Sequence, residues 1–453
     1  MNTDLLSRAQ FGMTIGFHIL FPTLNIGLAI FLSIMEGIWL KTYDTKYYKI
    51  CRFWIKIFAL TFGMGVVSGV VLSYELGTNF ARFTNAIGPI LGPLFNYEVL
   101  SAFFLEAGFL GVMLFGWEKV GAKLHYITTL LVTVGTVLSA FWIMSANSWM
   151  QTPAGYHLSD NIFHASNWWQ AILNPSFIPR FIHMLLASLV TAMFVVAGIS
   201  AWYLLHDRDH DIAKPCFAFS IVAVAILVPL QILAGDIVGL KVHRYQPIKT
   251  AAMEANWRTQ PGAPFVIFAI PDATKAQNLY AITIPKGASF INTHDWNGTL
   301  KGLTSTSSKN WPLVAPVFFS FRIMMAIGFF FLFVAWYGSW LLWRKRLYEV
   351  RWFQKICVWM TPMGFIATIA GWLTAELGRQ PWIVYGLMRT TEGTSILPAT
   401  QVFATFIAFI VIYAVIFGFY LIYLLKLIEK GPQDLQQVST ISYIPLPNEG
   451  HKT

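Results

Sequence analysis

The chain alternates long apolar runs with short polar breaks, and nine of the runs reach the ~20 residues that a helix needs to cross a bilayer. They fall at 10–40, 53–79, 94–116, 124–148, 177–205, 215–240, 314–343, 354–375 and 398–426. The pattern predicts an all-α integral membrane bundle of about nine transmembrane helices, with helices one to six in 1–240 and seven to nine in 314–426. Between the two sets lies 241–313, read as the only polar stretch long enough to fold over the surface. It holds strand-like pieces such as "LYAITIP", and loops of this length are uncommon unless functional or disordered. Residues 427–453 read as a polar tail. No internal repeat is visible. The first run is too long for a signal-peptide core and lacks a basic leader and a cleavage site, so helix one is expected to be retained.

Composition agrees, since 56% of the 453 residues are apolar and only 11% charged, against about 25% charged in soluble domains. A net charge of +10 would suggest nucleic acid, but the basic residues fall in alternate loops. Lys41, Lys46, Lys49, Arg52, Lys119, Lys123, Arg208, Lys214, Arg344, Lys345, Arg346 and Arg351 occupy one set, while the other short loops hold only Arg82, Arg379 and Arg389. The positive-inside rule then puts the N-terminus outside, the C-terminus inside and 241–313 on the outer face, so the charge sets topology and no nucleic acid is expected. Cys51, Cys216 and Cys357 fall near predicted inner helix ends and imply no disulfide framework. There is no CxxCH for covalent haem attachment.

Ionisable side chains inside spans are costly, and each is a candidate site. They are His18, Glu75, Glu98, Glu106, His183, Arg322 and Glu376. Only His18 and His183, of ten histidines, lie well inside predicted helices, too few for a haem-copper centre or a bis-histidine cytochrome b. Histidine with methionine is an alternative axial pair for an electron-transfer haem. Met324 stands out because it lies two residues after Arg322, whose cation could neutralise a propionate. Counted at 1.5 Å per residue from the outer ends of their helices, His183 and Met324 lie roughly 9 and 14 Å deep. Between Glu106 and Glu98 an ideal helix leaves about 12 Å of rise and about 80° of rotation, so a proton relay between them would need water. A proton-coupled secondary transporter, or a haem b quinone oxidoreductase without oxygen chemistry, would also use such groups.

From "SRAQFGMTIGFHILFP" through "GTNF", "FFLEAGFLG", "LSAFWIMSANSWMQTP", "FIHMLLAS", "KTAAMEANWRTQP" and "FRIMMA" to "GWLTAELGRQPW", the chain resembles subunit I of the cytochrome bd quinol oxidases. The resemblance implies a terminal respiratory oxidase of the bacterial cytoplasmic (inner) membrane. Such an enzyme oxidises quinol at the outer face and reduces oxygen to water, generating proton motive force without a pump. It implies that His183 and Met324 hold a low-spin haem b with Arg322 close by. His18 and Glu376 would hold two high-spin haems, one b and one d or a b-type haem in its place, with Trp372 beside them. It further implies that Glu98 and Glu106 lie near that pair and that Lys249 and Glu254 belong to the quinol site. Arg379 is expected to neutralise a propionate at the outer lip. The implied partners are a second membrane subunit (subunit II), a small single-helix subunit, quinol, oxygen and membrane lipid. The loop matches the short type, which includes cyanide-insensitive oxidases, while "YELGTNF" departs from the family pattern with Glu75 in place of Gln and Phe80 in place of Trp.

Overall fold

In a computed structural model, which describes residues 3–432, long helices dominate. Among these residues nine segments are long and apolar enough to cross a membrane: Thr3–Thr42, Thr45–Thr78, Ala81–Phe115, Ala122–Gln151, Phe177–Leu205, His210–Tyr245, Val314–Trp343, Arg351–Leu377 and Ala399–Lys430. They are called spans one to nine. The expected tail after 426 is helical as far as Lys430, and its portion 433–453 lies outside the described residues.

Three spans depart from single regular helices. Span one is two helices, Thr3–His18 and Leu20–Thr42, that meet at Ile19. Span eight is broken between Met360 and Met363 at Thr361–Pro362, where proline lacks the amide hydrogen that a continuing helix needs. Span three begins at Ala81, well before the expected 94, because Phe83, Ile87, Ile90, Leu91 and Leu94 form a buried face that the intervening Asn and Pro residues disguise in a hydropathy count. Within it Val99–Phe103 is a π-helical turn, flanked by Glu98 and Glu106.

Spans one and five form the centre, with 56% and 61% of their apolar windows buried, whereas spans three and nine bury 17% and 11% and are peripheral. Small residues allow the close packing that holds membrane helices together. A Cβ at Gly27 would lie 2.5 Å from the Ser188 carbonyl oxygen, and one at Gly364 would lie 2.6 Å from Thr191 Oγ1.

Two loops on the same side fold over the bundle. The expected one, 241–313, starts with a short helix, Pro247–Met253, continues into a hairpin of strands Phe265–Asp272 and Gln277–Ile284, and passes through helix Gly287–Thr293 to strand Thr299–Leu300, which pairs with Gln260–Pro261. The "LYAITIP" segment is indeed strand. The second, which the sequence reading overlooked, pairs Tyr156–Ser159 with Ile162–Ala165 and seats Phe163 beside Trp149 and Tyr156. Its apolar residues are interleaved with polar ones, so the segment read as a plain connection.

Candidate functional site

Glu376 lies near the end of helix Met363–Leu377, at the side covered by the two loops. Its Oε1 accepts from Asn147 Nδ2 (3.1 Å) and Gln151 Nε2 (3.2 Å), and its Oε2 accepts from Arg379 Nη2 at 2.6 Å. Arg379 follows at i+3, the spacing that brings helical neighbours onto one face. Asn147 and Gln151 are four apart on span four and each reaches a further cation. Arg180 donates to Asn147 Oδ1 at 2.6 Å, and Lys249 donates to Gln151 Oε1 at 2.7 Å.

One carboxylate therefore stands among three cations. Lys249 and Arg379 are buried, and Arg379 leaves Nε and Nη1 without partners. Buried charges are normally paired and buried donors satisfied. Burial pushes the Lys249 ammonium well below the ordinary lysine range; Arg180 and Arg379 push the same way, and Glu376 opposes them. The cluster is thus built for added negative charge, which the acidic groups of a porphyrin would supply.

Trp372, one turn before Glu376, packs near Gly16 of span one, two residues from His18. His18 Nδ1 lies 2.9 Å from Ser68 Oγ, and its ring abuts Gly69. A hydroxyl on one ring nitrogen orients the other, as outer partners of metal-ligating histidines do. The structure thus links the neighbourhoods of His18 and Glu376 through Trp372. Glu75 is fully buried two turns from Ser68, accepts from Thr14 Oγ1 at 3.1 Å and leaves Oε2 unpartnered.

His183 and Met324 each face a glycine. A Cβ at Gly235 would lie 3.1 Å from His183 Cε1, and one at Gly371 would lie 2.8 Å from Met324 Sδ. His183 Nδ1 has no hydrogen-bond partner, and Nε2 is 3.4 Å from Gln231 Nε2. Arg322 binds Glu254, with Nη2 to Oε2 at 2.7 Å, and its Nε donates to the Val266 carbonyl, also at 2.7 Å. Its Nη1 is unpartnered. Lys249 and Glu254 make separate contacts, the lysine toward Gln151 and the glutamate toward Arg322 and Asn292.

Glu98 accepts from Ser139 at 2.7 Å, and Glu106 lies against Gly135, four residues earlier on span four. The 80° separation expected for the two carboxylates does not hold. The π turn between them accommodates an extra residue, which rotates one end by about 100° and leaves them about 20° apart. Away from the loops the polar face of span four continues. Thr133 and Ser33 hydroxyls lie 2.7 Å apart, Thr129 donates to Glu36 Oε2 at 2.6 Å, and His125 Nδ1 lies 2.6 Å from Glu36 Oε1. His125 is buried, so two well-buried ionisable groups, Glu36 and His125, were missing from the sequence's candidates. The signal for His125 was present in the polar spacing His125, Thr129, Thr133, Thr136, Ser139, which marks one helical face. Asn147, Gln151, Arg180 and Gln246, whose Nε2 donates to Gln151 Oε1 at 3.0 Å, were missed as well, because an isolated polar residue near a helix end resembles an interfacial one.

Residues 6–432 match the family model described as cytochrome bd terminal oxidase subunit I. The chain is 32% identical to the cytochrome bd-II ubiquinol oxidase subunit 1 of Escherichia coli, covering 95% of this chain and 97% of that one. It is 31% identical to the cytochrome bd ubiquinol oxidase subunit 1 of Bacillus subtilis, covering 96% and 95%. It superposes on the bd oxidase structure from Geobacillus thermodenitrificans with a TM-score of 0.88 at 28% identity, covering 95% and 99%.

Proposed function

The chain belongs to the cytochrome bd terminal oxidase subunit I family, and from that premise we propose that it oxidises quinol on its loop side and passes the electrons to an oxygen-reducing centre beneath. Membership makes it a multi-pass membrane oxidoreductase subunit with a terminal quinol oxidase role, haem cofactors and a subunit II partner. The names of those two relatives say ubiquinol, and that of a third, 28% identical, says menaquinol; for this chain we assign a quinol without choosing the quinone. We place the loop side outward, in the bacterial cytoplasmic membrane, and keep a small single-helix subunit as a further partner.

When bound, the haems supply one-electron transfer and the oxygen chemistry. His183 and Met324 would hold a low-spin haem b; His18 and Glu376 would hold the two high-spin haems, one b and one d or b. Arg379 would pair a propionate, with Trp372 filling the space between the ligand helices. The observation carrying this reading is the surplus of buried cations around Glu376, with two guanidinium nitrogens of Arg379 unsatisfied.

Glu254 is the proposed acceptor of quinol protons, with Arg322 fixing its carboxylate. Lys249, deprived of solvent, orients a quinol oxygen by hydrogen bonding. Charge delivered to a low-dielectric site must be matched by protons, and we assign that supply to Glu106 and Glu98. Support comes from their shared face toward span four and from the polar stripe that continues through Thr133, Ser33, Thr129, Glu36 and His125 to the far side.

The test is haem extraction with a reduced-minus-oxidised spectrum of the purified complex, for wild type and Arg379→Ala. High-spin haem should be present in the wild type and depleted in the variant, with the low-spin bands intact. A wild type without a Soret band would favour a transporter, and one with low-spin bands alone would favour a quinone oxidoreductase without oxygen chemistry.

A further inference from the structure

The hairpin Phe265–Asp272/Gln277–Ile284 lacks the apolar-in, polar-out alternation that a water-facing antiparallel sheet shows. Val266 and Ala269 are buried against Phe318 of span seven. Away from that contact the hairpin carries Ile267, Ile270, Leu279, Tyr280, Ile282 and Ile284, all substantially exposed, with Tyr280 at 80% and Ile282 at 59%, while Phe268, also exposed, leans towards Phe319. Register shifts around Phe268 break the alternation and leave both Ile267 and Phe268 exposed. The only charged residues of the hairpin, Asp272 and Lys275, are at its tip. An apolar patch of this kind marks a binding surface.

Its depth says what it meets. Val266 accepts from Arg322, eight residues inside the loop-side end of span seven, and the Phe268 ring lies 6.2 Å from Phe319. The exposed Trp336, Trp340 and Trp343 form the aromatic belt expected at the opposite interface. Counting about 30 Å of hydrocarbon, or about 20 residues, back from Trp340 reaches about residue 320. The hairpin therefore lies level with the loop-side boundary between hydrocarbon and headgroups. Unpaired backbone groups on a two-stranded ribbon forbid entry into the hydrocarbon itself. Aromatic Tyr280, Phe290 and Trp296, all exposed, suit the interfacial layer.

We propose that the exposed face of this hairpin is a lipid-docking surface, seated in the headgroup layer of the loop-side leaflet. This loop would then rest in the membrane, beside Arg322 and Glu254, instead of standing in water above it.

The experiment uses the intact haem-loaded complex with its partner subunit in nanodiscs. An environment-sensitive fluorophore is placed on Ile282→Cys and, separately, on Lys275→Cys; the native Cys51, Cys216 and Cys357 are buried, so these are the reactive thiols of this chain, and labelling of the complex without either substitution gives the background from its partner subunit. Ile282 is exposed and touches no core, so the complex should assemble normally, which its haem spectrum will report. The expected result at 282 is blue-shifted emission, strong quenching by lipid spin-labelled near the headgroup, weaker quenching by lipid labelled at the chain end, and little by aqueous iodide. At 275 iodide should quench more than lipid does. Iodide quenching at 282 equal to that at 275 would overturn the proposal. So would a 282 label shielded from both quenchers, since a protein partner would then occupy the face.

Discussion

At the scale of single residues, the chemistry turns on polar groups that burial has made expensive. Glu254 is buried, held by Arg322 at 2.7 Å and by Asn292 at 3.2 Å. General-base contributions run from about 100-fold upward, so Glu254→Gln should slow quinol oxidation roughly 100-fold while chemical reduction of the haems proceeds normally. A wild-type quinol rate would remove Glu254 from the mechanism. Lys249 is the second case. Its pKa is depressed in the folded protein, so between that depressed value and about 10.4 the unfolded chain binds the extra proton. Stability from this group accordingly rises with pH across the window, and the penalty is complete below it. Lys249→Met should therefore raise the melting temperature at pH 7, by an amount that shrinks towards pH 10, while quinol turnover falls. A lower melting temperature at pH 7 would show that the ammonium is compensated in the complex. Individual ligand candidates were legible in the sequence because hydrocarbon rejects charge; their partners Asn147, Gln151 and Arg180 were not, because pairing across helices has no sequence spacing.

At the scale of elements, the π turn Val99–Phe103 is the feature that regular periodicity cannot foresee. It brings Glu98 and Glu106 to the same partner helix, where Ser139 and Gly135 meet them. Inserting one alanine beside Leu100, which is 64% exposed, should add one helical residue between the carboxylates and swing them about 100° out of line. Oxygen reduction should then slow in step with proton uptake, with haem spectra unchanged; full-speed uptake would exclude the alignment as a requirement. Helix boundaries at Ile19 and Ala81 likewise depended on packing that hydropathy does not report.

For the whole molecule, the separation of the proposed quinol site from the far end of the span-four stripe sets the energetics. If quinol protons leave on one side and oxygen's protons arrive from the other, each electron moves one charge across the membrane, worth about 2.3 kcal/mol per 100 mV. Oriented proteoliposomes should show one charge per electron; two would require a pump, and none would place both proton paths on the same side. The sequence by itself determined the membrane class, the nine spans and the loop between spans six and seven, because hydrophobic length and the cost of buried charge are local properties. It also yielded the family resemblance that the comparisons bear out, and the individual residues His18, His183, Met324 and Glu376 as candidates. Only the tertiary structure decided that three cations converge on one carboxylate, that Lys249 and Glu254 turn to different partners, that His125 and Glu36 are buried together, and that the loop hairpin lies at membrane depth. Those facts depend on which helix faces meet, and that is fixed by close packing between segments distant in the chain.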